Sequence, residues 1–332
     1  MQPRLTVLLP VYNGGDYLRP AIESILQQTF TDFEFLIIDD GSIDDSADII
    51  ASYHDPRIRA TSNPQNLRLA ATLNKGIELA RGEYIARMDC DDIALPTRLE
   101  KQLDYLQKHP EIGVLGTNYQ LISPSGKTGA RSRFPSEHAV LRWRLCFGCY
   151  IAHPTVMIRK SIYQQLNGYR TDVTGEDYDL WVRAASHTRL ANLPDILHQI
   201  RRHASSSSSV QATLLQPENI AISQKEMTRI LGFSPSPGLV GQIRMWKFES
   251  PAEGRRAASL IAQLCRASLA DKRLEAYEKQ LIRTDAAKWL IHLARKTHAW
   301  SALALAWQLD PLLPLRLPFL ILRFLTRQSP NR

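Results

Sequence analysis

The sequence predicts an α/β protein: a doubly wound, mainly parallel sheet with helices on both faces, followed by a helical, basic C-terminal region. Three observations carry that expectation. Over residues 1–120, short apolar runs of strand length alternate with longer segments of helical periodicity, the pattern of strands joined by crossover helices. Acidic and turn-forming clusters follow several of the apolar runs, where ligands bind in such sheets. The positive charge is unevenly placed: residues 211–332 carry 18 Lys and Arg against 9 Asp and Glu, and residues 1–210 carry 23 against 24. Two parts with different tasks follow, residues 1–210 and residues 211–332.

The elements read in order. Leu5–Pro10 is a buried strand, and Asp16–Gln28 follows with apolar residues at helical spacing. Phe33–Asp39 is a second strand. A helix over Asp44–Tyr53 is opened by Gly41 and Ser42, with Asp44 or Asp45 as its cap. Arg57–Thr61, Tyr84–Met88 and Ile112–Thr117 read as strands, and Leu69–Ala80 and Pro96–Lys108 as helices, the latter with proline in its first turn. Beyond residue 118 the alternation gives way to loops, short strands and two helices, Ser161–Leu166 and Asp177–Ala185. Five serines, Ser205–Ser209, mark a junction. After it, Ala257–Leu269, Arg273–Ile282 and Asp285–Leu309 read as helices.

Composition excludes several classes. In 332 residues, 44% hydrophobic and 22% charged is globular rather than disordered. No apolar run approaches the roughly 18–20 residues that cross a bilayer. The N-terminal apolar run is too short for a signal peptide, so the cytoplasm is the expected location. Four cysteines are too few for a disulfide framework. The charge asymmetry argues against a nucleic-acid partner.

Three clusters fall at strand ends: Pro10-Val11-Tyr12-Asn13-Gly14-Gly15, Asp39-Asp40-Gly41-Ser42 and Asp89-Cys90-Asp91-Asp92. Five carboxylates at one sheet edge repel one another unless a cation or hydrogen-bond donors compensate. A hard divalent ion, Mn²⁺ or Mg²⁺, would do so while bridging to substrate phosphates. The other reading makes some of these residues caps of the helices that follow, which suits Asp44 and Asp45 best.

Val-Leu-Leu-Pro-Val-Tyr-Asn from Val7, Ile-Ile-Asp-Asp-Gly-Ser from Ile37 and Arg-Met-Asp-Cys-Asp-Asp-Ile-Ala-Leu-Pro-Thr-Arg-Leu from Arg87 together resemble the family 2 glycosyltransferases of the GT-A fold. His153-Pro154-Thr155-Val156-Met157 and Gly175-Glu176-Asp177-Tyr178-Asp179-Leu180-Trp181 extend the resemblance over residues 4–205. It implies an inverting, metal-dependent transfer of a sugar from a nucleotide donor, a UDP-sugar, to a saccharide or lipid-linked saccharide acceptor in surface-polysaccharide assembly. Pro10, Val11 and Tyr12 would border the base. Asp40 would accept from a uracil-like N–H, with Asp39 supporting the nucleoside. Asp89-x-Asp91 looks like the family's Asp-x-Asp, with Asp91 on the metal and Asp89 facing the ribose or the metal's waters. His203 resembles a late His that binds metal or phosphate in some members; a structural histidine is the alternative. Asp177 would be the general base, with Glu176 and Asp179 as its competitors.

The chain departs from the family pattern at three places. Arg68 stands where relatives usually carry Gly beside the donor pocket; its guanidinium pairs with donor phosphate or a sugar acid, or else faces solvent. Cys90 occupies a position where Ala is common, as a buried filler or an alkylation-sensitive thiol. Cys146 and Cys149 form a lone C-x-x-C that is weak as a zinc site.

Residues 311–327 are apolar with three prolines and three arginines. They suit either an interfacial segment on anionic lipid or a contact with the chain's own fold or a second subunit. Two other activities use paired Asp on an α/β sheet. A sugar-phosphate nucleotidyltransferase would need a Gly-rich, Lys/Arg-bearing phosphate loop after the first strand, whereas Asp16 follows Gly15 here. A non-catalytic nucleotide-binding scaffold would be expected to lose an acidic motif.

Overall fold

The computed structural model describes residues 3–203 and 215–312. The chain divides into two compact units, residues 1–141 with 149–218, and residues 142–148 with 219–332.

The first unit is built on one nine-stranded sheet in the order β3-β2-β1-β4-β8-β6-β9-β5, with β7 on β6. Its strands are β1 (Leu5–Val11), β2 (Phe33–Asp39), β3 (Ile58–Ser62), β4 (Tyr84–Arg87), β5 (Ile93–Ala94), β6 (Ile112–Ile122), β7 (Thr128–Arg131), β8 (Met157–Arg159) and β9 (Arg189–Arg201). The helices are α1 (Gly15–Leu26), α2 (Ser46–Ala51), α3 (Leu69–Leu79), α4 (Arg98–Lys108), α5 (His138–Arg144), whose residues from Arg142 on belong to the second unit, α6 (Lys160–Gln165) and α7 (Glu176–Ala184). Every residue of β1 and β2 is buried, as near-continuous apolar runs must be in a sheet covered on both faces. α1 places Leu18, Ala21, Ile22 and Ile25 against this sheet, and α4 adds Leu99, Leu103 and Leu106. Each such side chain stabilises the fold by about 1.5–3 kcal/mol on full burial. α3 packs closely on β1, since a Cβ at Gly76 would lie 2.4 Å from Leu8 Cδ1.

The β3-β2-β1-β4 half is parallel, as the alternating pattern predicts. The other half is mixed. β8 runs antiparallel between β4 and β6, and β9 pairs parallel with β6 and antiparallel with β5. A three-residue strand such as β8 carries no readable periodicity. Strand register positions the site: Val11 pairs with Asp39, and the Asp40 N–H donates to the Val11 carbonyl at 2.7 Å. β4 ends beside them, with the Met88 N–H on the Leu8 carbonyl. The three acidic and turn clusters therefore emerge from one sheet edge.

Asp44 acts on backbone, although not as a simple cap. Its carboxylate accepts from the N–H groups of Ser46 and Gly15, and Asp45, the residue preceding α2, makes no side-chain cap bond.

The second unit is helical, with α8 (Leu215–Leu231), α9 (Pro237–Met245), α10 (Pro251–Leu269), α11 (Ala276–Thr297) and α12 (Ser301–Leu309). The expected break near residue 283 is absent: α11 runs through it, and the interruption falls at His298, in the left-handed region at φ 54°. Polar residues at this point make tertiary contacts. Thr284 donates to Asp310, and Asp285 accepts a two-pronged pair from Arg144 at 2.9 and 2.6 Å. The helix starts three residues later than predicted because Glu275 and Glu278 form a capping box. Ser205–Ser209 and residues 313–327 of the apolar tail lie outside the described residues. No described helix is long and apolar enough to cross a membrane.

Candidate active site

The loop after β1 and the loop after β2 are laced together. The Asn13 N–H donates to Ser42 Oγ, the Ile43 N–H to Asn13 Oδ1, and the Gly14 N–H to Ser46 Oγ, at 2.9–3.0 Å. Gly41 makes this possible with φ 72°, and a Cβ there would lie 2.7 Å from the Gln65 carbonyl carbon. Gly41→Ala should therefore cost about 1–3 kcal/mol in urea unfolding, from positive φ and backbone contact together.

Asp39 is buried and accepts from the Ser42 N–H at 3.1 Å. Asp40 is buried too. Asn63 Nδ2 at 2.7 Å and the Leu67 N–H at 2.9 Å both donate to its Oδ1. Tyr12 is 45% exposed beside them, whereas the Val11 side chain belongs to the core and Pro10 is buried. Arg68 lies next to Leu67 with φ 72° and ψ 159°, a region that glycine occupies readily and other residues hold at a cost of about 1–3 kcal/mol. A glycine at this position would hold the same backbone without that cost. The Arg68 side chain is exposed.

Carboxylate oxygens of Asp89, Asp91 and Asp92 lie within 4.8 Å of one another. Each has a different partner. Asp89 is paired with Arg87, whose Nη1 donates at 2.6 Å and whose side chain is buried. Asp91 Oδ2 is 2.9 Å from His203 Nε2, and the His203 ring packs on Tyr17 of α1, centroids 4.9 Å apart. Asp92 is 1% exposed and accepts from the Arg201 N–H and from His198 Nε2, both at 2.9 Å. His198 Nδ1 faces Arg98 Nη1 at 3.2 Å. A guanidinium only donates, so Nδ1 is the acceptor and Nε2 carries the proton given to Asp92. Burial, then the nearby guanidinium charges, hold His198 well below the usual histidine range, and burial pushes the fully enclosed Arg98 down to about 9. Asp92 is thus internally satisfied. It ties the end of β9 to the acidic loop, which carries His203 to Asp91.

α7 supplies the third group. Asp177 Oδ1 accepts from the Tyr178 N–H at 2.7 Å, and Cys149 Sγ lies 3.8 Å from Oδ2. Burial raises the Asp177 carboxyl; the Tyr178 N–H and the Arg87 charge oppose it. Asp179 is engaged by Arg183 at 2.7 Å. Glu176 Oε1 is 3.9 Å from His153 Nδ1, and His153 Nε2 meets the Tyr169 hydroxyl at 2.9 Å. Burial, then the charge of Asp177, pushes Glu176 up to about 7. Its proton is retained in the folded state over a range where the unfolded chain has already released it, so stability falls as pH rises from about 4.5 to about 7. The melting-temperature gain of Glu176→Gln over wild type should therefore be larger at about pH 8 than at about pH 5.

Arg87 is the group that sequence reasoning left without a role. Besides pairing with Asp89, its buried charge partly opposes the rise that burial imposes on the carboxyls of Asp92, Glu176 and Asp177. A charged residue closing the otherwise apolar run Tyr84-Ile85-Ala86 was the available signal. All four cysteines are free thiols, and burial raises Cys90 and Cys146, which makes both poor nucleophiles.

A parallel half-sheet with paired carboxylates at its edge, a histidine on one of them and a separate half-buried aspartate is the arrangement of an α/β protein whose strand ends form a ligand site. The chain belongs to glycosyl transferase family 2, whose profile matches residues 6–166. It is 38% identical over 208 residues to the putative glycosyltransferase EpsE of Bacillus subtilis, covering 60% of this chain and 73% of that protein. It is 32% identical over 211 residues to the O-antigen biosynthesis glycosyltransferase WbnJ of Escherichia coli, covering 61% of this chain and 81% of WbnJ. The amylovoran biosynthesis glycosyltransferase AmsE of Erwinia amylovora is 33% identical over 205 residues, or 59% of this chain and 75% of AmsE. In fold, the chain is similar to S. aureus TarS in complex with UDP-GlcNAc, with TM-score 0.57, 15% identity and coverage of 92% and 88% of the two chains. It is also similar to the mannosyltransferase PcManGT of Pyrobaculum calidifontis in complex with GDP-Man and Mn²⁺, with TM-score 0.53, 17% identity and coverage of 92% and 86%.

Proposed function

We propose that this glycosyltransferase moves a hexosyl or N-acetylhexosaminyl group, with inversion, from a UDP-sugar to a saccharide or lipid-linked saccharide acceptor, and that it works in surface-polysaccharide assembly. The observation that supports this reading is that β2 and β4 flank β1 in parallel register, which brings Asp40 and the Asp89–Asp91–His203 group to one sheet edge, with the charge of Asp177 acting on Asp89. The biosynthetic roles printed for WbnJ and AmsE support the polysaccharide setting.

The donor set fits a hard or borderline divalent cation: carboxylate oxygens clustered within 4.8 Å, and an imidazole on one of them. Asp91 and His203 would hold Mn²⁺ or Mg²⁺, with Asp89 beside them; Asp92 is committed to His198 and Arg201. When bound, the cation supplies positive charge to the diphosphate leaving group.

The chain's own residues do the rest. Asp40 holds its Oδ1 on Asn63 and Leu67 and offers Oδ2 to the N–H of the uracil, with the Tyr12 ring as stacking surface. Asp39 braces the nucleoside side of the pocket, and Pro10 and Val11 line it with backbone. Arg68 reaches the donor's anionic part or faces solvent. Asp177 accepts the proton of the acceptor hydroxyl while the new glycosidic bond forms and the bond to the diphosphate oxygen breaks. The nucleoside diphosphate departs from the opposite face, and Asp177 returns its proton to water. Incubation with a UDP-α-sugar and an acceptor, followed by NMR of the anomeric proton, tests this reading. A β-linked product formed with Mn²⁺ and lost with chelator is expected; an α-linked product would overturn inversion.

A further inference from the structure

We propose that Tyr17 and Arg201 are positioning residues for the divalent cation, holding His203 and Asp91 in the arrangement that binds it. This rests on the metal reading given above, whose ligand set includes neither residue. Both belong to the first unit.

Arg201 closes β9 and is buried. Its Nε donates to the Asp91 carbonyl at 2.8 Å, and its Nη1 to the carbonyls of Ser123 and Pro124 at 3.2 and 3.1 Å. Its backbone N–H donates to Asp92 Oδ1 at 2.9 Å. One residue therefore grips the acidic loop through backbone and side chain together, and fastens that loop to the turn between β6 and β7. A planar guanidinium with five N–H donors serves carbonyls lying in different directions, and its delocalised charge also suits an aromatic face. Tyr17 supplies that face. The Arg201 guanidinium carbon lies over its ring, 4.7 Å from the centroid.

The same ring meets the His203 imidazole, with centroids 4.9 Å apart and planes inclined at 36°. His203 in turn places Nε2 2.9 Å from Asp91 Oδ2. The contacts close a circuit that runs from the Asp91 carbonyl through Arg201, Tyr17 and His203 back to the Asp91 carboxylate. His203 lies two residues past the end of β9, so the strand ladder alone does not fix its ring; the Tyr17 face does. Tyr17 also brings in the loop after β1. It stands in the first turn of α1, and its N–H donates to the Gly14 carbonyl at 3.2 Å. Gly14 is itself tied to Ser46. No hydrogen bond engages the Tyr17 hydroxyl among the described residues, so the ring is the part that acts.

Binding of Mn²⁺ to the full-length protein in the presence of UDP, followed by the EPR signal of the free ion, tests this. Tyr17→Leu removes the ring and should weaken Mn²⁺ binding by about 10–100-fold, as loss of an outer partner of a metal ligand does. Tyr17→Phe keeps the ring and should bind Mn²⁺ as wild type does. Arg201→Lys keeps the charge, loses the planar fork, and should weaken Mn²⁺ in the same direction. The affinity of Tyr17→Leu for UDP with chelator present should stay near wild type. An equal loss there would mark a merely structural role and overturn the proposal. So would Tyr17→Leu and Arg201→Lys that both bind Mn²⁺ like wild type. A wild-type protein that binds no Mn²⁺ would overturn the metal reading as well, so the wild-type titration tells the two failures apart.

Discussion

Asp177→Asn should lower turnover by about 10²–10⁴-fold and leave nucleotide binding near wild type. The asparagine keeps the size of the side chain and can still accept from the Tyr178 N–H, so the start of α7 should persist. It loses the ability to take a proton. Burial raises the Asp177 carboxyl, so the wild-type rate should fall on acidification as this base is protonated. A steady-state assay of nucleoside diphosphate release reads both effects. Turnover unchanged in Asp177→Asn would remove Asp177 from the chemistry. Asp179 would not replace it, since Arg183 already occupies that carboxylate.

Asp91→Ala should uncouple nucleotide affinity from Mn²⁺. Losing a direct ligand should cost no less than the roughly 10–100-fold in metal affinity that follows loss of an outer partner. The same substitution leaves His203 without its carboxylate partner at 2.9 Å. Titration calorimetry of UDP with and without Mn²⁺ measures the coupling directly. Asp92→Asn should behave differently. It disturbs the bonds to His198 and the Arg201 backbone inside the protein, so its main effect should be a lower melting temperature.

What was legible in the sequence follows from distance along the chain. β1 and β2 are buried on both faces, so their apolar runs are continuous and unmistakable. Asp39 and Asp40 at the end of β2 and Asp89 and Asp91 after β4 are found together because parallel register brings strand ends to one edge. What was illegible depends on long-range pairing. Arg201 meets Asp92 across 109 residues and His198 meets Arg98 across 100, and no local pattern announces either. Arg87 looked like a motif neighbour until its burial made it the counter-charge for the carboxylates. The Val11 side chain lies wholly in the core, so only its backbone is available to a ligand. β8 is too short to show periodicity, and the uninterrupted course of α11 carries Thr284 and Asp285 on contacts that lie far away in the chain, with Asp310 and Arg144.

The proposed site takes a nucleotide sugar and is completed by a divalent cation at the carboxylate edge. Thermal unfolding of the wild-type protein with UDP, GDP, CDP and dTDP, each with and without Mn²⁺, tests it most directly. A ligand at about 100 times its dissociation constant adds about 2.7 kcal/mol of stability, a shift of several degrees for a unit of this size. Stabilisation by UDP with Mn²⁺, and little by either alone, is expected. The absence of a shift with every nucleotide, with or without Mn²⁺, would contradict it.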